Sequence, residues 1–177
     1  MTPQLILDVI KSENLSEQER SEIIGLCSRA FNTNYEPLFQ TFNGATHILA
    51  RLQESLVSHA LWITRYLKCV ELPIFRTAYV EAVATEEAYR GRGFAMKVMQ
   101  KLASEIMGFE IGALSPSDHR LYVRLGWELW RGPLFIRSPE GLVSTPDDEV
   151  MILRLPKTPR LDINAPLSAE WREGEFW

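Results

Sequence analysis

The stretch YVEAVATEEAYRGRGFAMKVM, residues Tyr79 to Met99, decides the fold. It opens within a strand, Ala78 to Ala84, built from small and β-branched residues. The strand pattern breaks at Thr85-Glu-Glu-Ala88, and Arg90-Gly-Arg-Gly93 follows. A helical pattern then starts at once: Phe94, Val98 and Leu102 fall four apart, with Lys97 and Lys101 on another face. Strand, glycine-rich turn and helix together make an anion-binding layout, because bare backbone N–H groups and a helix N-terminus point at one place. Gly91 and Gly93 let the backbone approach a ligand closely. Their spacing fits neither the Walker A nor the GxGxxG pattern, so neither a P-loop nor a dinucleotide fold is expected.

Outward from this stretch, the chain reads as alternating strands and helices. On the N-terminal side, Leu5–Ile10 is a predicted strand. Ser16-Glu-Gln-Glu19 is a capping box that starts a helix. Ile23, Ile24, Cys27, Ala30 and Phe31 are expected to form its apolar face. Residues 31–37 read as a loop, with a short helix after Pro37. Thr46–Leu52 is a strand, turned at residues 53–55 into a longer one, Leu56–Val70. Glu71-Leu-Pro73 turns again into the central strand. On the C-terminal side, Phe109–Leu114 is a strand, and Asp118–Leu125 a short helix stopped by Gly126. Strands follow at Trp127–Trp130 and Val150–Leu155. The order and spacing indicate one α+β domain over residues 1–177, with a mixed, mostly antiparallel sheet flanked by helices. Pro156–Trp177 has three prolines and little periodicity, yet Trp171, Phe176 and Trp177 are costly to leave in water. An extended segment packed back on the domain is expected.

Composition narrows the function. The chain has 177 residues, 46% hydrophobic and 24% charged, enough for one sizeable core. Its net charge of −4 and the lack of a basic stripe argue against nucleic acid as a partner. Cys27 and Cys69 sit in apolar patterns and read as buried free thiols, and no metal-ligand spacing occurs. The start, MTPQLILDVIKSEN, has no basic region followed by a long apolar run, and no stretch is long enough to span a bilayer. A cytoplasmic protein is expected. His47, His59 and His119 lie singly, without a Ser or Cys motif that would make a hydrolase triad, and read as surface or satisfied core histidines. Residues 140–177 hold eight acidic residues against four basic ones. Such a surface suits a cationic small molecule.

Arg90-x-x-Gly93-x-Ala95 resembles the [Q/R]-x-x-G-x-[G/A] signature of the GCN5-related N-acetyltransferases (GNAT). A second set of residues resembles the aminoglycoside 2′-N-acetyltransferase branch of that superfamily: Tyr79-Val-Glu81, Gly112-Ala-Leu-Ser115, Arg120-Leu-Tyr122, Gly126-Trp127, Trp130, Gly132-Pro133, Thr145-Pro-Asp-Asp148 and Trp171-Arg-x-Gly-x-x-Trp177. The resemblance implies the GNAT acyl-CoA N-acyltransferase fold, acetyl-CoA as co-substrate without a metal, a cationic amine as acceptor, and a homodimer as a common assembly. It implies that Val83, Ala84 and Thr85 offer backbone groups to the pantetheine arm. Arg90, Gly91, Arg92, Gly93, Phe94 and Ala95 would hold the pyrophosphate. Substrate contacts carry over to Asn34, Glu81, Ala82, Ser115, Asp147, Asp148, Glu175 and the carboxylate of Trp177. That end segment is thereby expected against the acceptor site.

Acetyl transfer to an amine needs a base for the ammonium proton, donors for the oxyanion and an acid for the leaving thiolate. By the same resemblance Glu81 is the remote base, working through water, and Tyr122 the acid. Trp177 completes the expected catalytic set. Near residue 34, where the family tends to supply aspartates, this chain offers Asn34 and Glu36. Three readings follow: an aminoglycoside 2′-N-acetyltransferase, an N-acetyltransferase for another cationic amine such as a polyamine or aminosugar, and a protein that binds acetyl-CoA or the drug without turnover.

Overall fold

The computed structural model describes residues 4–177. Its elements run in the order β1 (Leu5–Lys11), α1 (Glu17–Phe31), α2 (Glu36–Phe39), β2 (Thr46–Leu52), β3 (Ser55–Cys69), β4 (Phe75–Thr85), α3 (Phe94–Glu105), β5 (Ile111–Leu114), α4 (His119–Arg124), β6 (Glu128–Leu129), β7 (Leu134–Ser138), β8 (Gly141–Ser144), β9 (Met151–Arg154) and β10 (Leu167–Glu170). The fold is α+β. The β4–β5 and β7–β10 pairs are parallel, while the β1–β2, β2–β3, β3–β10, β5–β9, β6–β9 and β7–β8 pairs are antiparallel.

Contacts divide the described residues into two compact units, 4–63 with 80–105 and 64–79 with 106–177. The long strands β3 and β4 contribute residues to each. In the first unit, β1, β2 and β3 form an antiparallel run with β4 next to β3. α1 starts at the expected capping box: Ser16 Oγ accepts from the Glu19 amide, and Glu19 accepts from the Ser16 amide. It ends at Asn32, whose left-handed φ of 51° stops it. Its buried face differs in part from the expected one. Ile23, Leu26 and Cys27 are buried, Ile24 and Ala30 are half-buried, and Phe31 is 42% exposed. Phe31 lies in the last turn and stacks on Tyr35, 5.3 Å away, instead of reaching the core. Val98, Met99 and Leu102 of α3 are buried.

The second unit orders its strands β6-β9-β5-β4-β3-β10-β7-β8. Leu114, Met151, Ile152, Trp127, Trp130, Ile136 and Ala169 lie in its core. Three strands occur that the sequence pattern did not indicate: β7, β8 and β10. β8 is exposed at every position, so no alternation betrays it. β5 begins at Ile111 instead of Phe109, and β6 is only Glu128–Leu129. β5 pairs along all four residues of β9, and β6 along two of them. Both cysteines are free and buried. Among the described residues, no helix is long and apolar enough to cross a membrane.

Candidate active site

The turn after β4 has the geometry of an anion cradle. Gly91 and Gly93 sit at φ 76° and 78°, the left-handed region that favours glycine. A β-carbon built on either would meet nothing within 4 Å, so that side of the turn is open. The Lys97 amide donates to the Gly93 carbonyl, which makes Gly93 the residue that caps α3. A glycine cap has no side chain, so it leaves the first-turn amides of α3 to a ligand or to solvent. Arg90 and Arg92 are exposed on this turn. The Arg92 guanidinium lies 5.1 Å from the Tyr89 ring, and Tyr89 packs on Phe94. Open backbone, a helix start and two cations fit a pyrophosphate.

Upstream, the end of β4 is fixed by side chains of β3. Ser58 Oγ lies 3.1 Å from the Ala84 carbonyl and 2.8 Å from Thr85 Oγ1. The Glu86 amide donates to the Val57 carbonyl. Ala84 is buried, while Glu81, Val83 and Thr85 are half-buried. Ala82 lies at φ 54°, a left-handed residue inside a strand, and is buried. His59 Nδ1 meets its carbonyl at 2.9 Å. His59 Nε2 lies 2.9 Å from His47 Nδ1, and His47 Nε2 lies 2.8 Å from Ser12 Oγ. Both histidines are satisfied core histidines, as the sequence suggests, yet their chain to Ala82 is not evident from it. Asn34 is exposed, and its side-chain oxygen accepts from the Glu36 amide, so part of its bonding capacity goes to starting α2.

In the second unit, Tyr122 lies on the six-residue α4, which Asp118 caps by accepting from the Arg120 amide. Tyr122 is 8% exposed and meets Trp127 edge-on at 6.1 Å. Burial pushes its hydroxyl up to about 12, and the Asp118 charge adds to the rise. The group is a neutral donor at any ordinary pH. Ser115 is exposed just after β5.

The end segment is held by named bonds. Trp177 is 4% exposed, and its indole N–H donates to Thr145 Oγ1 at 2.9 Å. Thr145 opens the turn that carries Asp147 and Asp148, where the Asp148 amide donates to the Thr145 carbonyl. The Trp177–Thr145 bond brings the end segment to this acidic turn, and Asp147, Asp148 and Glu175 are exposed. Arg65, 1% exposed, donates to the Phe176 carbonyl at 2.6 Å and to the Glu170 carbonyl at 2.8 Å. Its guanidinium lies 4.7 Å from the Tyr79 ring and 6.0 Å from that of Trp177. Arg172 also lies over Tyr79, and its guanidinium donates to the Glu175 carbonyl. Arg65 was missed from the sequence, and Thr145 was read only as part of the Thr145-Pro-Asp-Asp148 motif, without its bond to Trp177. An arginine inside an otherwise apolar strand, Leu-Trp-Ile-Thr-Arg-Tyr-Leu, is the signal that marks the first.

Three comparisons bear on this arrangement. Residues 11–130 match the family model of the acetyltransferase (GNAT) domain. The chain is 30% identical over 177 residues to the aminoglycoside 2′-N-acetyltransferase of Mycolicibacterium fortuitum, covering 96% of this chain and 90% of that one. Among solved structures, it resembles the GNAT family N-acetyltransferase YhbS of Escherichia coli, determined in complex with CoA, with TM-score 0.66, 17% identity, and coverage of 98% of this chain and 93% of that one. It also resembles a probable N-acyltransferase of Enterococcus faecalis V583, with TM-score 0.60 and 18% identity. That match covers 72% of this chain but only 33% of the other, so this chain spans about a third of its length. These two likenesses concern the fold.

Proposed function

The chain belongs to the GNAT acetyltransferase family, and from that premise we propose that it transfers the acetyl group of acetyl-CoA to the 2′-amine of an aminoglycoside. The observation that carries the proposal is the likeness to the M. fortuitum enzyme, 30% identical over 96% of this chain. Val83, Ala84 and Thr85 take the pantetheine arm on their backbone groups. Arg90, Gly91, Arg92, Gly93, Phe94 and Ala95 take the pyrophosphate. Acetyl-CoA supplies the activated acyl carbon.

The remaining work falls to side chains. Glu81, half-buried on β4, receives the ammonium proton through water. Tyr122 meets the charge that develops on the leaving sulfur. With its hydroxyl pushed up to about 12, its phenolate is a stronger base than a thiolate whose thiol has an ordinary pKa of about 8.5. Tyr122 therefore works by donating a hydrogen bond in the transition state, not by complete proton transfer. Asp147, Asp148, Glu175 and Trp177, with Asn34, Ala82 and Ser115, contact the acceptor. Their negative charge favours a polycation.

A second reading, acetylation of another cationic amine such as a polyamine or aminosugar, is favoured by one observation. The Asn34 side chain is partly committed to the Glu36 amide, which leaves its loop with less to offer an aminoglycoside ring. Thiol release from acetyl-CoA, measured against a panel of aminoglycosides, polyamines and aminosugars, tests both. Turnover confined to aminoglycosides with a free 2′-amine supports the first. Turnover confined to the other amines supports the second.

A further inference from the structure

Four groups in the first unit form one directed hydrogen-bond chain: Ser12 Oγ, His47, His59 and the Ala82 carbonyl, with contacts of 2.8, 2.9 and 2.9 Å. Its polarity follows from chemistry alone. A carbonyl can only accept, so His59 carries its proton on Nδ1. A neutral His59 then accepts at Nε2, which requires the proton of His47 on Nδ1. His47 accepts at Nε2, and Ser12 donates. Both rings are fully buried. Burial holds both in the neutral form; the Arg20 charge adds to the effect on His47, and on His59 the cost of a second charge beside His47 adds to it while the bond to Ala82 opposes it. The chain ends on a carbonyl, which cannot pass a proton onward. It is a clamp, not a wire.

What it clamps is the irregular residue of β4. Ala82 sits at φ 54°, the left-handed region that a β-carbon disfavours. Its carbonyl is held by a neighbouring strand's side chain. The residues that follow it, Val83, Ala84 and Thr85, are those proposed to meet the pantetheine arm. We propose that His59, backed by His47 and Ser12, is a positioning residue that holds β4 in its left-handed kink at Ala82 and thereby aims the backbone of residues 83–85 at the acyl donor. This rests on the acetyl-CoA reading above.

The test uses the full chain and two readouts. The first is independent of turnover: nitrogen-15 NMR of the histidine rings, with the carbonyl-carbon shift of Ala82. Both rings should show the Nδ1–H form, which is the minor one for imidazole in water. His59→Leu should move the residue-82 carbonyl signal and those of residues 83–85, with the rest of the spectrum retained. Rings in the Nε2–H form, or unmoved signals at 82–85, would overturn the clamp whether or not the enzyme turns over. The second readout is rescue. His59→Leu should raise KM for acetyl-CoA or lower kcat so that kcat/KM falls at least tenfold. Adding Ala82→Gly removes the steric objection to the kink, so the double variant should regain most of that loss. A loss from bad packing alone would not be repaired at residue 82, and a double variant no better than His59→Leu would count against the proposal. Should the wild type release no thiol with any amine, the acetyl-transfer reading fails, and the NMR result still decides the clamp.

Discussion

Replacing Arg65 with methionine probes how the end segment is held. The guanidinium is 1% exposed and donates to the carbonyls of Phe176 and Glu170. A hydrogen bond from a charged donor contributes about 1.5–3 kcal/mol. Two such bonds give roughly 3–6 kcal/mol, and methionine keeps much of the apolar stem. The freed carbonyls recover water once the segment lifts, so the lower end, about 3 kcal/mol, is expected. For a chain of 177 residues that is a fall in Tm of about 6–12 °C. Thermal unfolding measures it, and amide exchange should show β10 opening ahead of β5 and β9. Turnover of the amine should fall at least tenfold, while calorimetric CoA affinity stays within about twofold, because the Arg90–Ala95 turn belongs to the other compact unit. A Tm within about 1 °C of wild type, with unchanged kcat/KM for the amine, would show that Arg65 does not hold the segment.

Gly93→Val places a β-branched residue at φ 78°, where no protein atom lies within 4 Å of the new β-carbon. The damage should therefore fall on the turn and its ligand: CoA affinity by calorimetry drops more than tenfold, while far-UV circular dichroism is retained. Tyr122→Phe should lower kcat by roughly tenfold to a few hundredfold with KM for acetyl-CoA little changed, measured by thiol release. Because burial pushes the Tyr122 hydroxyl up to about 12, it should not be the source of any fall in kcat below pH 10. Trp177→Ala removes the indole that donates to Thr145 Oγ1, and should lower amine acetylation at least tenfold and spare CoA binding, by the same paired assays. His47 and His59 are lowered to about 4 and about 3, so the unfolded chain takes up protons that the native one refuses. Their contribution is complete above about pH 6.5 and is lost as pH falls toward 3–4, at up to about 1.4 kcal/mol per pH unit for each ring. Urea midpoints at pH 7.5, 6, 5 and 4.5 measure this, and His59→Gln should flatten the profile.

The glycine turn after β4 was legible because it is local. Strand, glycine turn and helix lie within residues 78–102, and the left-handed φ values at Gly91 and Gly93 are written as glycines. The capping box at Ser16 and the stop at Gly126 were legible for the same reason. The histidine chain was not. Counting back from the Gln53–Glu54 turn with an unbroken hairpin puts His47 and His59 on opposite faces. The pairing instead shifts between Ala50 and Arg51, which sets Leu49 opposite His59 and His47 opposite Leu61. That single irregularity brings both rings to one face. Ala82 gave no sign either, since a left-handed alanine is not marked by its residue type. The end segment showed its aromatic anchors but hid its strand, because β10 is four residues long and gains its place by pairing with β3 and β7. Arg65 and Thr145, which fix it, lie 32 or more residues from their partners in Phe176 and Trp177.

The measurement that tests the central claim most directly is thiol release from acetyl-CoA with a matched pair of aminoglycosides, one bearing a 2′-amine and the other a 2′-hydroxyl, followed by mass spectrometry and NMR of the product. The expected result is turnover with the first alone, the gain of one acetyl group, and an amide at the 2′-nitrogen. Equal turnover of the pair, acetylation at another amine, or no thiol release with either would contradict the assignment.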